Sequence, residues 1–212
     1  MPADTIRVLL VDDHAIARNG LRLMLGTVPD IAVMAEAGDA QQAQQIAREQ
    51  QFDVALLDIT MPGRNGLELL KLLRADYPRM AVLMLSTYSE EIYAVRALRL
   101  GASGYLTKDV STDVLVAAVR KAAAGGRHVS AALGDKLAGL IGANAVTGHA
   151  ALSNRELEVF KLIAAGESLV GIGERLHLSP NTVTTYRSRI LEKMGLDSNA
   201  ELTRYALEYG LI

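Results

Sequence analysis

Two adjacent aspartates, Asp12 and Asp13, follow four consecutive aliphatic residues in "VLLVDDHA", Val8 to Ala15. A third carboxylate, Asp58, ends the run "VALLD"; the hydroxyl of Ser86 ends "VLMLS", and the ammonium of Lys108 follows "GYLT". Neighbouring carboxylates repel one another and resist removal from water, so a pair set against buried aliphatics needs a compensating cation. Brought together, the three carboxylates would suit Mg2+, which favours one or two carboxylates and keeps several waters. The open positions and the Lys108 ammonium would then accept a phosphoryl group, and an unmodified Asp58 carboxylate can attack phosphorus. Taken singly, each residue has an ordinary explanation. A strand-end aspartate caps a turn or helix, a strand-end serine bonds the backbone, and Lys108 beside Asp109 makes an exposed pair worth under about 1 kcal/mol. Independent caps have no reason to fall at several strand ends in the right types, so the joint occurrence favours a phosphoryl site. His14 reads as a surface or capping side chain and receives no chemical role.

Such a site needs strands that end side by side. From Ile6 to about Ala124, short apolar runs alternate with segments of helical period, the pattern of a doubly wound parallel sheet with crossover helices. The predicted strands are Arg7 to Val11, Ile31 to Glu36, Val54 to Asp58, Met80 to Ser86 and Gly104 to Thr107. The predicted helices are Ala15 to Leu25, Ala40 to Glu49, Gly66 to Asp76, Glu90 to Leu100 and Thr112 to Ala124. Ligands of open parallel sheets bind beyond the carboxyl ends of the strands, where Asp12, Asp13, Asp58, Ser86 and Lys108 all fall. In "DITMPGRNG", Pro62 and Gly63 impose a turn after Asp58 and Asn65-Gly66 leads into the next helix.

The totals agree with a two-domain globular chain: 212 residues, half of them hydrophobic and 22% charged. No apolar run approaches a membrane span and the N-terminus lacks a secretory pattern, so a cytoplasmic protein is expected. The absence of cysteine excludes disulfides, thiolate metal sites and cysteine nucleophiles. With a formal net charge of −2, any DNA binding must rest on a local patch. Residues 1–124 are expected to form the first domain, 125–151 a glycine-rich linker with a short helix around Ala131 to Leu140, and 152–212 an all-helical module. Its predicted helices are Arg155 to Ala164, Leu169 to Leu176, Pro180 to Met194 and Ala200 to Tyr209.

The pieces "LLVDDH", "ALLDITMPGRNGLELL", "VLMLST" and "GASGYLTKD" stand in an order and spacing that resemble a two-component receiver domain, over residues 6 to 124. The resemblance implies a flavodoxin-like α/β fold in which Asp58 accepts phosphate from a histidine kinase. It further implies that Asp13, Asp58 and the Thr60 carbonyl ligate Mg2+ directly, with Asp12 acting mainly through water. Ser86 and Lys108 would contact phosphoryl oxygens, and Tyr105 would change rotamer as the Ser86 hydroxyl moves. Thr60 and Tyr88 would tune water access to the acyl phosphate, the bulk of Tyr88 slowing hydrolysis.

"LSNRELEVFKLIAAGESLVGIGERLHLSPNTVTTYRSRILEKMGL" resembles the LuxR-type helix-turn-helix of NarL/FixJ regulators, over essentially all of residues 150 to 212. Locally, Ser179 is a good N-cap, Pro180 suits the first helical position and "HL" makes a tight turn between helices. At about 100° per residue, Val183, Ile190 and Met194 share the buried side of Pro180 to Met194, flanked by Tyr186 and Arg187. Asn181, Thr184, Thr185, Ser188 and Glu192 then face outward, with Arg189 and Lys193 toward one margin; Asn181, Thr182, Thr184, Thr185 and Ser188 are the candidates for DNA bases and Arg189 and Lys193 for phosphate. An amphipathic helix with a polar face is more often merely solvated, and the module carries seven basic against eight acidic side chains. The assignment therefore rests on motif order.

Two departures from the family pattern bear on DNA affinity. "LVGIG", Leu169 to Gly173, replaces a more polar and basic stretch and adds two glycines, each costing about 1 kcal/mol inside a helix. Thr184 and Tyr186 stand where many relatives carry lysine and histidine. The stripe Leu202, Tyr205, Ala206 and Tyr209 would either pack internally or, as the resemblance implies, form the surface of a homodimer on two-fold half-sites.

The resulting expectation is a phosphorylation-dependent response regulator that binds double-stranded DNA as a homodimer, whose only catalysis is self-phosphorylation and self-dephosphorylation at Asp58. Two rivals were weighed. An aspartyl-nucleophile phosphatase would carry D-x-D at the first strand, not an adjacent pair; a regulator that senses a ligand or partner without phosphate would not need the full acidic set.

Overall fold

Runs of Val, Leu and Ala bounded by polar turns form strands because their branched side chains pack on a pleated surface covered from both sides. A computed structural model describes residues 5–61, 64–87, 90–130, 133–134 and 148–212. The chain divides into two units, Met1–Gly139 and Leu140–Ile212.

The first unit contains β1 (Ile6–Val11), β2 (Ile31–Ala37), β3 (Val54–Asp58), β4 (Ala81–Ser86) and β5 (Gly104–Thr107). All pairings are parallel, in the order β2-β1-β3-β4-β5. Every residue of the central strands β3 and β4 is buried, whereas edge strand β2 is only partly so. The connecting helices are α1 (Ala15–Leu25), α2 (Ala40–Glu49), α3 (Gly66–Asp76), α4 (Glu90–Arg99) and α5 (Thr112–Ala123). Leu21 and Leu25 of α1 join Leu115 and Val119 of α5 over Val8, Leu10, Leu56 and Leu83, forming the core on one face. Strand alternation sends Leu9, Ala55 and Leu57 to the opposite face, and α2 and α3 pack against each other and against these central strands. Each large aliphatic buried this way contributes roughly 2 kcal/mol.

The strand order reverses between β1 and β3, which opens a crevice at their carboxyl ends. Asp12 follows one of these strands and Asp58 ends the other. The turn from β3 into α3 is tight: a Cβ at Gly66 would collide with the carbonyl oxygen of Asp58. Only glycine fits there.

The second unit begins with a 3-10 turn, Gly148–Ala151, followed by α6 (Asn154–Ala164), α7 (Leu169–Leu176), α8 (Pro180–Met194) and α9 (Asn199–Glu208). Ser153 and Ser198 form capping boxes with Glu156 and Glu201, and Ser168 and Ser179 cap α7 and α8. Leu157, Phe160, Ile172, Val183, Ile190, Leu202 and Ala206 are fully buried and make the core of the unit.

The predicted element ends agree with the structure to within a residue; Asn154 and Asn199, for example, join helices that serine caps start one residue earlier than predicted. The stretch expected as a linker departs more. His128 donates its amide to Ser103 at 2.7 Å and bridges to Gly104, while Gly148–Ala151 is an ordered 3-10 turn. His149 explains the second departure, because its Nδ1 lies 3.1 Å from the Tyr205 hydroxyl. The helix predicted around Ala131 to Leu140 lies outside the described residues except at 133–134, as do Pro62, Gly63 and Tyr88.

Candidate functional site

At the carboxyl edge of the sheet, Asp12, Asp13, His14 and Asp58 each present a ligand atom, all within 4.8 Å of one another. Asp12 and Asp58 are buried and Asp13 is half-buried. Lys108 enters from the loop after β5, its Nζ 2.7 Å from Asp12 Oδ2 and 2.8 Å from Asp58 Oδ2. The strand ends hold this lysine in place: its amide donates to the Ser86 carbonyl at 2.8 Å, fixing β5 against β4. Ser86 is buried at the end of β4 and Tyr105 is fully buried on β5. The Thr60 amide donates to Asp58 Oδ1 at 3.3 Å.

Burial pushes the pKa of Asp58 upward, and the nearby Asp12 charge adds to the effect; the hydrogen bond and charge of Lys108 offset only part of it. Burial also works against the Lys108 ammonium, yet its two carboxylate partners outweigh that penalty and hold its pKa above the usual value. Asp12 Oδ2 and Asp13 Oδ1 are buried without a well-formed hydrogen bond, although Lys108 Nζ faces the first and His14 Nδ1 lies 2.8 Å from the second. Such oxygen atoms, converging on one point with excess negative charge, fit a hard divalent cation such as Mg2+.

In the second unit, α7 and α8 meet at a tight turn in which His177 adopts a left-handed conformation, φ 54°, as the C-cap of α7. Gly173 of α7 backs onto this turn: a Cβ there would lie 2.7 Å from the Leu178 carbonyl oxygen. Val183 and Ile190 point into the core, whereas Asn181, Thr182, Thr184, Thr185, Ser188 and Arg189 are exposed. Asn181, Thr182, Thr185, Tyr186 and Arg189 line a shallow groove of about 360 Å³. The hydroxyls of Thr184, Thr185 and Ser188 donate to the carbonyls of Pro180, Asn181 and Thr184, which leaves the hydroxyl oxygens as acceptors.

Comparison with known families assigns both units. The response regulator receiver domain matches residues 8–120, and the luxR family of bacterial regulatory proteins matches residues 150–206. The chain belongs to the LuxR-type response regulators. It is 37% identical to the transcriptional regulatory protein MctR of Rhizobium johnstonii, over 98% of this chain and 95% of that protein. It is 34% identical to the response regulator GacA of Pseudomonas aeruginosa, over 98% of each chain. Among solved structures it resembles the response regulator ChrA of a heme-sensing two-component system, at 33% identity and a TM-score of 0.54 over 99% of this chain and all of that one. It also resembles RcsB of Salmonella enterica serovar Typhimurium, bound to a promoter in the presence of a phosphomimetic, at 25% identity and a TM-score of 0.68 over 95% and 98% of the two chains.

This response regulator brings together Asp12, Asp13, Asp58 and Lys108 as the sequence predicts, and seats Ser86 and Tyr105 on the adjoining strands. Three expectations need correction. Lys193 is not a freely available phosphate contact: its Nζ lies 2.7 Å from Glu156 Oε2, within the capping box of α6. Burial disfavours the Glu156 carboxylate, but hydrogen bonds from Lys193 and Ser153 outweigh it and hold its pKa below the usual range. Leu202 and Ala206 are fully buried in the core of the unit and cannot meet a second copy without opening it, while Tyr205 packs on Phe160 and stacks on Tyr209 at 4.3 Å. Of that stripe Tyr209 is exposed, beside Leu207. Lastly, Gly173, expected only as a cost inside the helix, is required by the close approach of the turn.

Sequence reasoning assigned no role to His14, which joins the acidic cluster, and passed over Arg18, whose guanidinium donates to the Asp12 carbonyl at 2.6 Å. The available signal for Arg18 was its position four residues after His14, one helical turn along α1 and above the loop that carries the aspartates.

Proposed function

We propose that Asp58 is the phosphoacceptor of this regulator and that its phosphorylation by a histidine kinase governs dimerisation and DNA binding. The observation that carries the reading is the convergence of Asp58, Asp12, Asp13 and Lys108 at one sheet edge, with Lys108 Nζ 2.8 Å from Asp58. Asp13, Asp58 and the Thr60 carbonyl would ligate Mg2+ directly and Asp12 through water; the bound ion supplies charge neutralisation for the phosphoryl oxygens. An Asp58 carboxylate oxygen attacks phosphorus, the bond from phosphorus to the kinase's histidine nitrogen breaks, and that nitrogen keeps the electron pair. Lys108 then pairs with a phosphoryl oxygen, and Ser86 and Tyr105 rearrange as the switch. Residues 1–124 would act as this phosphoacceptor domain and 152–212 as the DNA-binding domain of a cytoplasmic protein, joined by 125–151.

On α8, Asn181, Thr182, Thr184, Thr185 and Ser188 would face bases in the major groove and Arg189 the phosphates. Tyr209 would lie at the two-fold contact of a homodimer. The promoter complex of RcsB formed with a phosphomimetic supports the DNA-binding part of the reading and its link to the phosphoryl site. The test measures mass in solution and retention of duplex DNA from a random-sequence library, with and without beryllofluoride plus Mg2+. The reading predicts a shift toward dimer and tighter DNA retention with beryllofluoride. Identical behaviour in both conditions would favour a receiver that works without phosphate.

A further inference from the structure

We infer that Arg18 is a positioning residue of the acidic site, acting through Asp12 to hold the carboxylates in the geometry that takes the cation. The inference rests on the phosphoacceptor reading above.

Arg18 lies on α1 with its guanidinium turned back over the β1–α1 loop. Nη1 donates to the Asp12 carbonyl at 2.6 Å, and Nε donates to Glu36 Oε2 on β2 at 3.1 Å. The Arg18 and Glu36 side chains are 22% and 30% exposed, so the pair is partly shielded from competing water. A second arginine, Arg22, approaches Glu36 Oε1 at 3.3 Å and helps to fix that anchor. Asp12 is thereby held on every side. Its amide donates to Ala37 O at 3.1 Å, its Oδ1 accepts the His14 amide at 2.8 Å, its carbonyl accepts Arg18, and its Oδ2 faces Lys108. A loop carrying two adjacent carboxylates would spread under their repulsion; Arg18 ties it to β2 instead.

The placement has two physical consequences of opposite sign. A guanidinium near the site disfavours a second cation by Coulomb repulsion, whereas a guanidinium that fixes the loop favours it by pre-organising the ligands. Glu36, shared by Arg18 and Arg22, offsets part of their combined charge, and the direct hold on the Asp12 carbonyl makes the geometric effect the larger one.

Mg2+ titration of the full chain by isothermal calorimetry, with thermal unfolding of each variant recorded alongside, separates the two. Arg18→Met is expected to weaken Mg2+ binding about tenfold, and Arg18→Lys to recover part of the loss. The double variant Arg18→Met with Glu36→Gln leaves the net charge unchanged and should remain weakened relative to the unaltered chain. Equal or tighter Mg2+ binding by Arg18→Met, or unaltered affinity in the double variant, would overturn the inference in favour of a purely electrostatic bystander. Loss of affinity matched by unfolding of Arg18→Met and of the double variant would likewise reduce Arg18 to a stability role. Failure of the unaltered chain to take up Mg2+ would instead remove the phosphoacceptor reading itself, so the two failures are distinct.

Discussion

The two units assemble their functional surfaces in different ways. In the first, Asp12, Asp58, Ser86 and Lys108 come from the ends of four strands separated by as many as 96 positions, and they meet only because the sheet is parallel. In the second, the residues proposed to read DNA, Asn181 to Arg189, lie on one helix and are brought together by helical periodicity. The first surface depends on tertiary structure for its existence and the second only for its presentation. This difference explains why the acidic site is largely buried and electrostatically strained, whereas the helical surface is exposed and the hydroxyls of Thr184, Thr185 and Ser188 bond back to the helix's own carbonyls.

Four perturbations probe that contrast, in decreasing order of expected effect. Asp58→Asn removes the proposed nucleophile, and labelling by acetyl phosphate should fall to background; Ser188→Ala, on the helical surface, should leave labelling unchanged. Persistent labelling of Asp58→Asn would place the acceptor elsewhere.

Next, Leu202→Ala should destabilise the second unit by about 2 to 5 kcal/mol, because a fully buried side chain leaves a cavity. Chemical denaturation would measure this, and a loss confined to the dimeric state would restore Leu202 to the subunit interface.

A glycine pair sharpens the comparison further. Gly66→Ala must push the Asp58 carbonyl aside and should cost at least about 2 kcal/mol while weakening Mg2+ binding. Gly171→Ala meets only Ser168 Oγ at 3.3 Å, the hydroxyl that caps α7, so a gain of up to about 1 kcal/mol in helix propensity is offset by any shift of the cap and the net effect should stay within about 1 kcal/mol of zero. Thermal unfolding of both variants measures the difference, which vanishes if the β3–α3 turn can relax.

The last concerns Lys161 on α6, which burial pushes down from 10.5 to about 8. The unfolded chain therefore binds more protons than the folded one between these values, and stability should rise with pH across that window. Lys161→Met should abolish this contribution and stabilise the second unit near pH 7 by on the order of 1 to 3 kcal/mol. Parallel pH profiles of the two proteins give the comparison, and superimposable slopes would show that Lys161 does not titrate there.

The helical faces were legible in advance because periodicity assigns them: Val183 and Ile190 turn inward and Thr184 and Ser188 outward, as the 100° rule requires. The strand-end set was legible because parallel sheets place their ligands at one edge. Lys193 was misread because its partner Glu156 lies 37 positions away in the capping box of another helix. Leu202 and Ala206 were misread because an apolar stripe is the same in sequence whether it faces a core or a second copy. Arg18 was missed because one partner is a backbone carbonyl, which carries no side-chain signature, and the other, Glu36, lies 18 positions away on another strand.

By itself the sequence determined the alternation of strands and helices, the caps that start each helix of the second unit, and the chemical types available at each strand end. These are local matters of period, propensity and hydrogen-bond competition within a few residues. Only the tertiary structure decided which charges meet: Lys108 between Asp12 and Asp58, Arg18 on the Asp12 carbonyl, and Lys193 on Glu156. Coulomb and hydrogen-bond energies depend on separation in space and on local burial, and neither is a function of distance along the chain.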